Sequence, residues 1–131
     1  MYEKMRKLAI TLLVIQSVLA FLGSWGLIGD PSGKSIQIPL TVLEGTPFDD
    51  FLVPGIILLF AIGFLSIAVA IMTLKRSRHY SWFIILQGCV LIGWLTAEIL
   101  FNKDLFYPAY HYPLYIMGIL LVIIGFIIKK E

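Results

Sequence analysis

The sequence predicts an all-α membrane protein: a bundle of four transmembrane helices with one extended extracytoplasmic loop between helices 1 and 2. Three observations predict it. Of 131 residues, 60% are hydrophobic and 14% charged, where soluble domains are about 45–50% apolar, and the mean hydropathy is +0.95. Residues 8–28, 51–74, 80–101 and 112–128 form four almost uncharged runs; about twenty residues at about 1.5 Å each cross a core of about 30 Å. Eight of the ten Lys and Arg residues lie at the two termini and in one short turn, regions that four crossings place on one side.

The chain is read as a single domain, 1–131. Lys4, Arg6 and Lys7 precede the first span, Leu8 to Ile28. A signal-peptide reading with Val18-Leu19-Ala20 as its cleavage site competes here, but the uncharged run continues past that site, so a retained helix is expected. Gln16, Ala20, Gly23 and Leu27 share one face of it.

Residues 29–50 form the outer loop. Asp30-Pro31-Ser32-Gly33 reads as a turn. Ile36, Ile38, Leu40 and Val42 alternate with Gln37, Pro39, Thr41 and Leu43, which predicts an extended segment over Ser35 to Leu43 lying on the helix ends. Gly29 to Ser35 resembles a phosphate loop superficially, but the spacing of its glycines is one residue short and no strand precedes it. Thr46-Pro47-Phe48-Asp49 reads as a helix start, with Pro54 as a bend. In the second span, Phe51 to Leu74, Gly55, Gly63, Ser66 and Ala70 offer close-packing positions.

Lys75-Arg76-Ser77-Arg78-His79 is short enough to make spans two and three an antiparallel hairpin. The third span, Tyr80 to Phe101, carries Gln87, Leu91, Trp94 and Glu98 on one face, since eleven residues at about 100° each return to within about 20°. Cys89, Gly93 and Ala97 make a small-residue stripe beside it. Tyr107, Tyr110, Tyr112 and Tyr115 read as an interfacial belt around the start of the fourth span, Tyr112 to Ile128, where Gly118 and Gly125 share a face.

The positive-inside rule places both termini and the basic turn in the cytoplasm and the long loop outside. Counting depth from the span midpoints, Gln16 and Gln87 lie about 3 and 6 Å to the cytoplasmic side of centre, and Trp25 and Glu98 about 10 Å to the outer side. Spans one and three are therefore expected to be neighbours, and Glu98, Trp94, Trp25, Gln87 and Gln16 are the candidate ligand-binding residues, with Glu98 the ionisable one.

Other chemistry has less to stand on. His79 and His111 fall on opposite sides of the membrane and are read as interfacial side chains, so no metal or haem is expected. Asp49 and Asp50 are adjacent acids suited to a helix start. The serines have no histidine and acid placed to activate them. The lone Cys89 excludes an internal disulfide. No cofactor and no nucleic-acid partner is expected.

Pro47-Phe48-Asp49-Asp50-Phe51-Leu52-Val53-Pro54-Gly55 and Gly93-Trp94-Leu95-Thr96-Ala97-Glu98 resemble patterns in small four-span bacterial membrane proteins of uncharacterised function. The resemblance implies a plasma-membrane location and carries over no activity. Two readings follow: a non-enzymatic protein that packs with a membrane partner or a copy of itself, or a carrier or sensor that binds a small cation, proton or amphiphile in an outward-facing pocket at Glu98.

Overall fold

The computed structural model describes residues 2–33, 43, 47–101 and 108–129. Among these the protein is helical throughout its regular structure: α1 (Tyr2–Gly29), α2 (Leu52–Leu74), α3 (Tyr80–Phe101) and α4 (Pro108–Lys129). All four are long and apolar enough to cross a membrane. The helices form an up-and-down bundle in which α1 packs on α2 and α4, and α3 on α4 and α2.

Two helices start earlier than their apolar runs. The first reaches back to Tyr2 because Arg6 bonds to Glu3 one turn away, with its Nε 3.2 Å from Glu3 Oε2, on the same face. Its 28 residues are about 42 Å long, so its first turns project beyond an apolar core of about 30 Å. The fourth begins at Pro108, not at Tyr112; a proline suits a first helical position, where its missing N–H has no partner to lose.

The second helix begins later than the Thr46 to Asp49 pattern suggests. Pro47, Phe48 and Asp49 precede it, and Thr46 lies outside the described residues. The buried Phe51 donates its N–H to the Pro31 carbonyl at 2.9 Å. That bond anchors the chain to the turn at the loop's beginning before the helix winds. Asp50 Oδ1 then accepts the Leu52 N–H at 3.0 Å, and Pro54 falls in the first turn, where no amide donor is needed. The turn itself forms as the sequence indicates: the Asp30 carboxylate accepts from Ser32, the Asp30 carbonyl accepts the Gly33 N–H at 3.0 Å, and Gly33 has φ 79°. Of the extended segment expected over 35–43, only Leu43 is described. It packs with Phe48, Phe51 and Leu27, although the alternation assigned it to the opposite side.

The turn between α2 and α3 closes as a Schellman motif. Ser77 N–H bonds to the Met72 carbonyl at 2.9 Å and Arg76 N–H to that of Thr73 at 3.2 Å. Arg76 is the left-handed residue of this motif, at φ 54°, where glycine is usual and a side chain costs about 1 kcal/mol. Arg6 completes the helix end by donating from Nη1 to the Thr73 carbonyl at 3.1 Å, a cation against the negative end of the α2 dipole.

Close approach is greatest between α3 and α4. A Cβ at Gly125 would lie 2.5 Å from Ile85 Cγ1, and one at Gly88 would lie 2.7 Å from the Gly118 carbonyl oxygen. These glycines let backbone meet backbone, and in lipid such contact replaces the hydrophobic effect as the cause of association. Gly55 does the same for α1 and α2, its Cβ position lying 2.8 Å from Leu27 Cβ. The stripe of Cys89 and Gly93 is turned outward instead: Cys89 is exposed, and a Cβ on Gly93 would meet nothing within 4 Å.

Candidate functional site

The bundle has two apolar clusters with polar side chains between them. Towards the chain termini lie Ala9, Leu13, Val69, Ile84 and Leu121; towards the loops lie Ala20, Leu58, Ile62, Leu91 and Leu95. Between them in sequence on α1, α2 and α3 fall Gln16, Ser17, Ser66 and Gln87, all buried. Beside them α2 departs from α geometry. Leu58–Phe64 forms a π segment, whose displaced carbonyls need donors from elsewhere. Ser17 Oγ donates to the Gly63 carbonyl at 3.2 Å and Gln87 Nε2 to that of Ala61 at 3.5 Å. Among the described residues the Gln16 amide, Gln87 Oε1 and Ser66 Oγ find no hydrogen-bond partner.

Gln16 and Gln87 thus occupy the same layer, but their helices are not the neighbours the matched depths implied. The main packing runs from α1 to α2 to α3 to α4 and back to α1, which puts α1 and α3 on a diagonal. Depth along a helix says nothing of azimuth. Trp25 shows the consequence: it lies nine residues beyond Gln16, about 180° around the helix, and is 83% exposed. It does not share a site with Glu98.

Glu98 has a different partner. His111 Nε2 lies 3.2 Å from Glu98 Oε2, at ion-pair distance though off the alignment of a hydrogen bond. His111 is fully buried and Glu98 19% exposed at its side chain. His111 therefore faces the bundle and not the headgroups, although it stands at the first residue of the candidate span. A fourth helix starting at Tyr112 leaves His111 in the connection, which is why hydropathy alone does not find the pair. With α4 beginning at Pro108, His111 sits three residues inside one helix and Glu98 three residues inside the other, and an antiparallel pair brings them level.

Around this pair the α3–α4 interface is polar. Thr96 Oγ1 donates to the Ile92 carbonyl at 2.8 Å, which uses its single proton, so Tyr115 donates its hydroxyl to Thr96 at 2.8 Å. The Tyr115 ring lies 6.4 Å from that of His111. Trp94 is half-buried, with its indole Nε1 shielded and without a hydrogen-bond partner among the described residues. The sequence pointed to Glu98, Trp94 and Gln87 on one face of α3 and to Gln16 at the same level; it missed Ser17, Ser66, His111 and the Thr96–Tyr115 bond. His79, by contrast, is exposed in the basic turn. Among the described residues no three of His, Cys, Asp and Glu converge to hold a metal ion.

An acid and an imidazole at hydrogen-bonding range can share or exchange a proton. The central amide and hydroxyl layer has no ionisable member. The fold and these layers define a membrane protein with four candidate spans, one buried polar level and one partly exposed one. No family model, no curated protein and no solved structure matches the chain.

Proposed function

We propose that this is a multi-pass protein of the cell membrane, with both termini cytoplasmic, that acts without catalysis by packing against another copy of itself or a membrane partner. The supporting observation is the outward face of α3: Cys89 exposed and Gly93 with open space where a side chain would stand. The glycines the bundle uses for its own packing lie on other faces, and a lipid-facing small-residue stripe allows a second backbone to approach closely. Cys89 is the only cysteine of the chain and serves as the probe. Oxidative crosslinking in liposomes is expected to give a covalent dimer, and Gly93→Leu to diminish it. A chain that stays monomeric at every protein-to-lipid ratio, and whose Gly93→Leu variant keeps full function in the cell, excludes the reading.

The Glu98–His111 pair favours a second reading, a carrier or sensor of protons or small cations. Its motive is an ionisable pair with one sealed member and one that reaches solvent or headgroups. Glu98→Gln keeps shape and deletes charge. Proton or cation flux, or pH response, unchanged in that variant would exclude it.

A further inference from the structure

At the end of the bundle that carries the chain termini, a cleft of about 460 Å³ opens between the first turns of α1, the α2–α3 turn, the start of α3 and the end of α4. Among the described residues its walls carry Arg6, Arg76 and Lys129 against the one carboxylate of Glu3, a net formal charge of +2. The four helix ends meet where apolar spans give way to charged residues, so the cleft stands at headgroup level. Trp82, on its wall, is half-exposed and lies under Lys129, whose Nζ is 4.1 Å from the ring centroid. An amphipathic ring beneath a cation is suited to a ligand with a polar head and an apolar tail.

We propose that this cleft binds a phosphate-bearing anion, with Arg76 and Lys129 as its contacting cations and Glu3 as a built-in competitor. Three of the first four N–H groups of α3 are already bonded within the turn, at Tyr80, Trp82 and Phe83, so recognition falls to side chains. Arg6 is not available: its side chain is 11% exposed and is committed to Glu3 and to the Thr73 carbonyl. Arg76 is 62% exposed at its side chain, and Glu3 occupies only part of its planar fork, at 2.5 Å. The backbone holds Arg76 in the left-handed position of its turn, which aims a guanidinium into the cleft where a glycine would present nothing. The Ser77 hydroxyl is a further donor on the wall. A phospholipid headgroup and free phosphate share this chemistry, and clefts of this kind between spans receive anionic lipid heads.

The test uses the full chain purified in detergent and a fluorescent phosphatidylglycerol, with phosphatidylcholine as the neutral comparison. Phosphatidylglycerol is expected to bind more tightly. Arg76→Gln and Lys129→Gln should each weaken it about fivefold, and Glu3→Gln should strengthen it by removing the anion that competes for Arg76. The source is read by competition: displacement by millimolar inorganic phosphate assigns a free anion, and displacement only by unlabelled phosphatidylglycerol assigns the lipid. Equal binding of the two lipids, or phosphatidylglycerol binding unchanged in an Arg76→Gln/Lys129→Gln chain that melts like the wild type, overturns the proposal.

Discussion

Glu98 on α3 and His111 on α4 lie 3.2 Å apart across the most closely packed seam of the bundle. Removing one member of a buried pair strands the other, whereas replacing both with apolar groups is often neutral or better. His111→Leu is therefore expected to destabilise by about 1–3 kcal/mol, less than the fully sealed case because Glu98 retains some exposure. The double variant Glu98→Leu/His111→Leu should recover most of that loss. Thermal unfolding in detergent measures the cycle, and simple additivity would show that the two do not interact.

The glycines separate into two classes by what a methyl would meet. Gly125→Ala places a Cβ against Ile85 and the Ser81 carbonyl and is expected to cost about 1–3 kcal/mol. Gly93→Ala meets nothing and should leave stability unchanged or raise it by up to about 1 kcal/mol through helix propensity. Equal effects at both positions would contradict the α3–α4 contact.

The central layer yields opposite signs at adjacent residues. Ser17→Ala removes the donor to the Gly63 carbonyl and should cost about 0.6–1.7 kcal/mol. Gln16→Leu removes a buried amide with no hydrogen-bond partner among the described residues and should stabilise by about 1–3 kcal/mol. A Gln16→Leu chain that unfolds more readily, with α1 still docked, would mean that the amide has a partner in the membrane.

Glu3 lies ahead of the uncharged run, bonded to Arg6 and Arg76. The Arg6 hydrogen bond holds its carboxyl below the ordinary carboxylate range; burial opposes it in part, and the charges of Arg6 and Arg76 and the Arg76 hydrogen bond add to the lowering. A folded value below the unfolded one means that this stabilisation is complete above the unfolded value, about 4.3, and is lost as pH falls through the folded one. The unfolding temperature should therefore drop on acidification below about pH 4 by more in the wild type than in Glu3→Gln. Parallel pH profiles for the two proteins would dismiss the effect.

What could be read from the sequence follows from which quantities a one-dimensional pattern carries. Span length needs only residue count and hydropathy, and four helices long and apolar enough to cross a membrane are there. The hairpin at Lys75 to His79 needs only a short link. Gln87 and Glu98 share a face because spacing along one helix fixes azimuth. Relations between helices are different. Trp25 and Glu98 match in depth, yet the rotation of α1 sends Trp25 outward. Gly88 was passed over for Cys89, one residue and about 100° away, because the sequence does not say which stripe faces α4. His111 was lost to a helix boundary misplaced by one turn, an error that hydropathy invites when a helix opens with Pro, Tyr and His.

The Lys75 to His79 turn divides the molecule into halves of unequal character. Each half is a hairpin sealed by its own glycines, Gly55 in one and Gly88, Gly118 and Gly125 in the other. Between the halves there is no such backbone contact at these glycines, and the Gln87 bond to Ala61 stretches to 3.5 Å. Hydrocarbon solvates both halves equally well, so among the described residues side-chain packing and that one long bond are what hold them together. In a thicker or more fluid bilayer the bundle would therefore part along this joint first, each hairpin remaining whole.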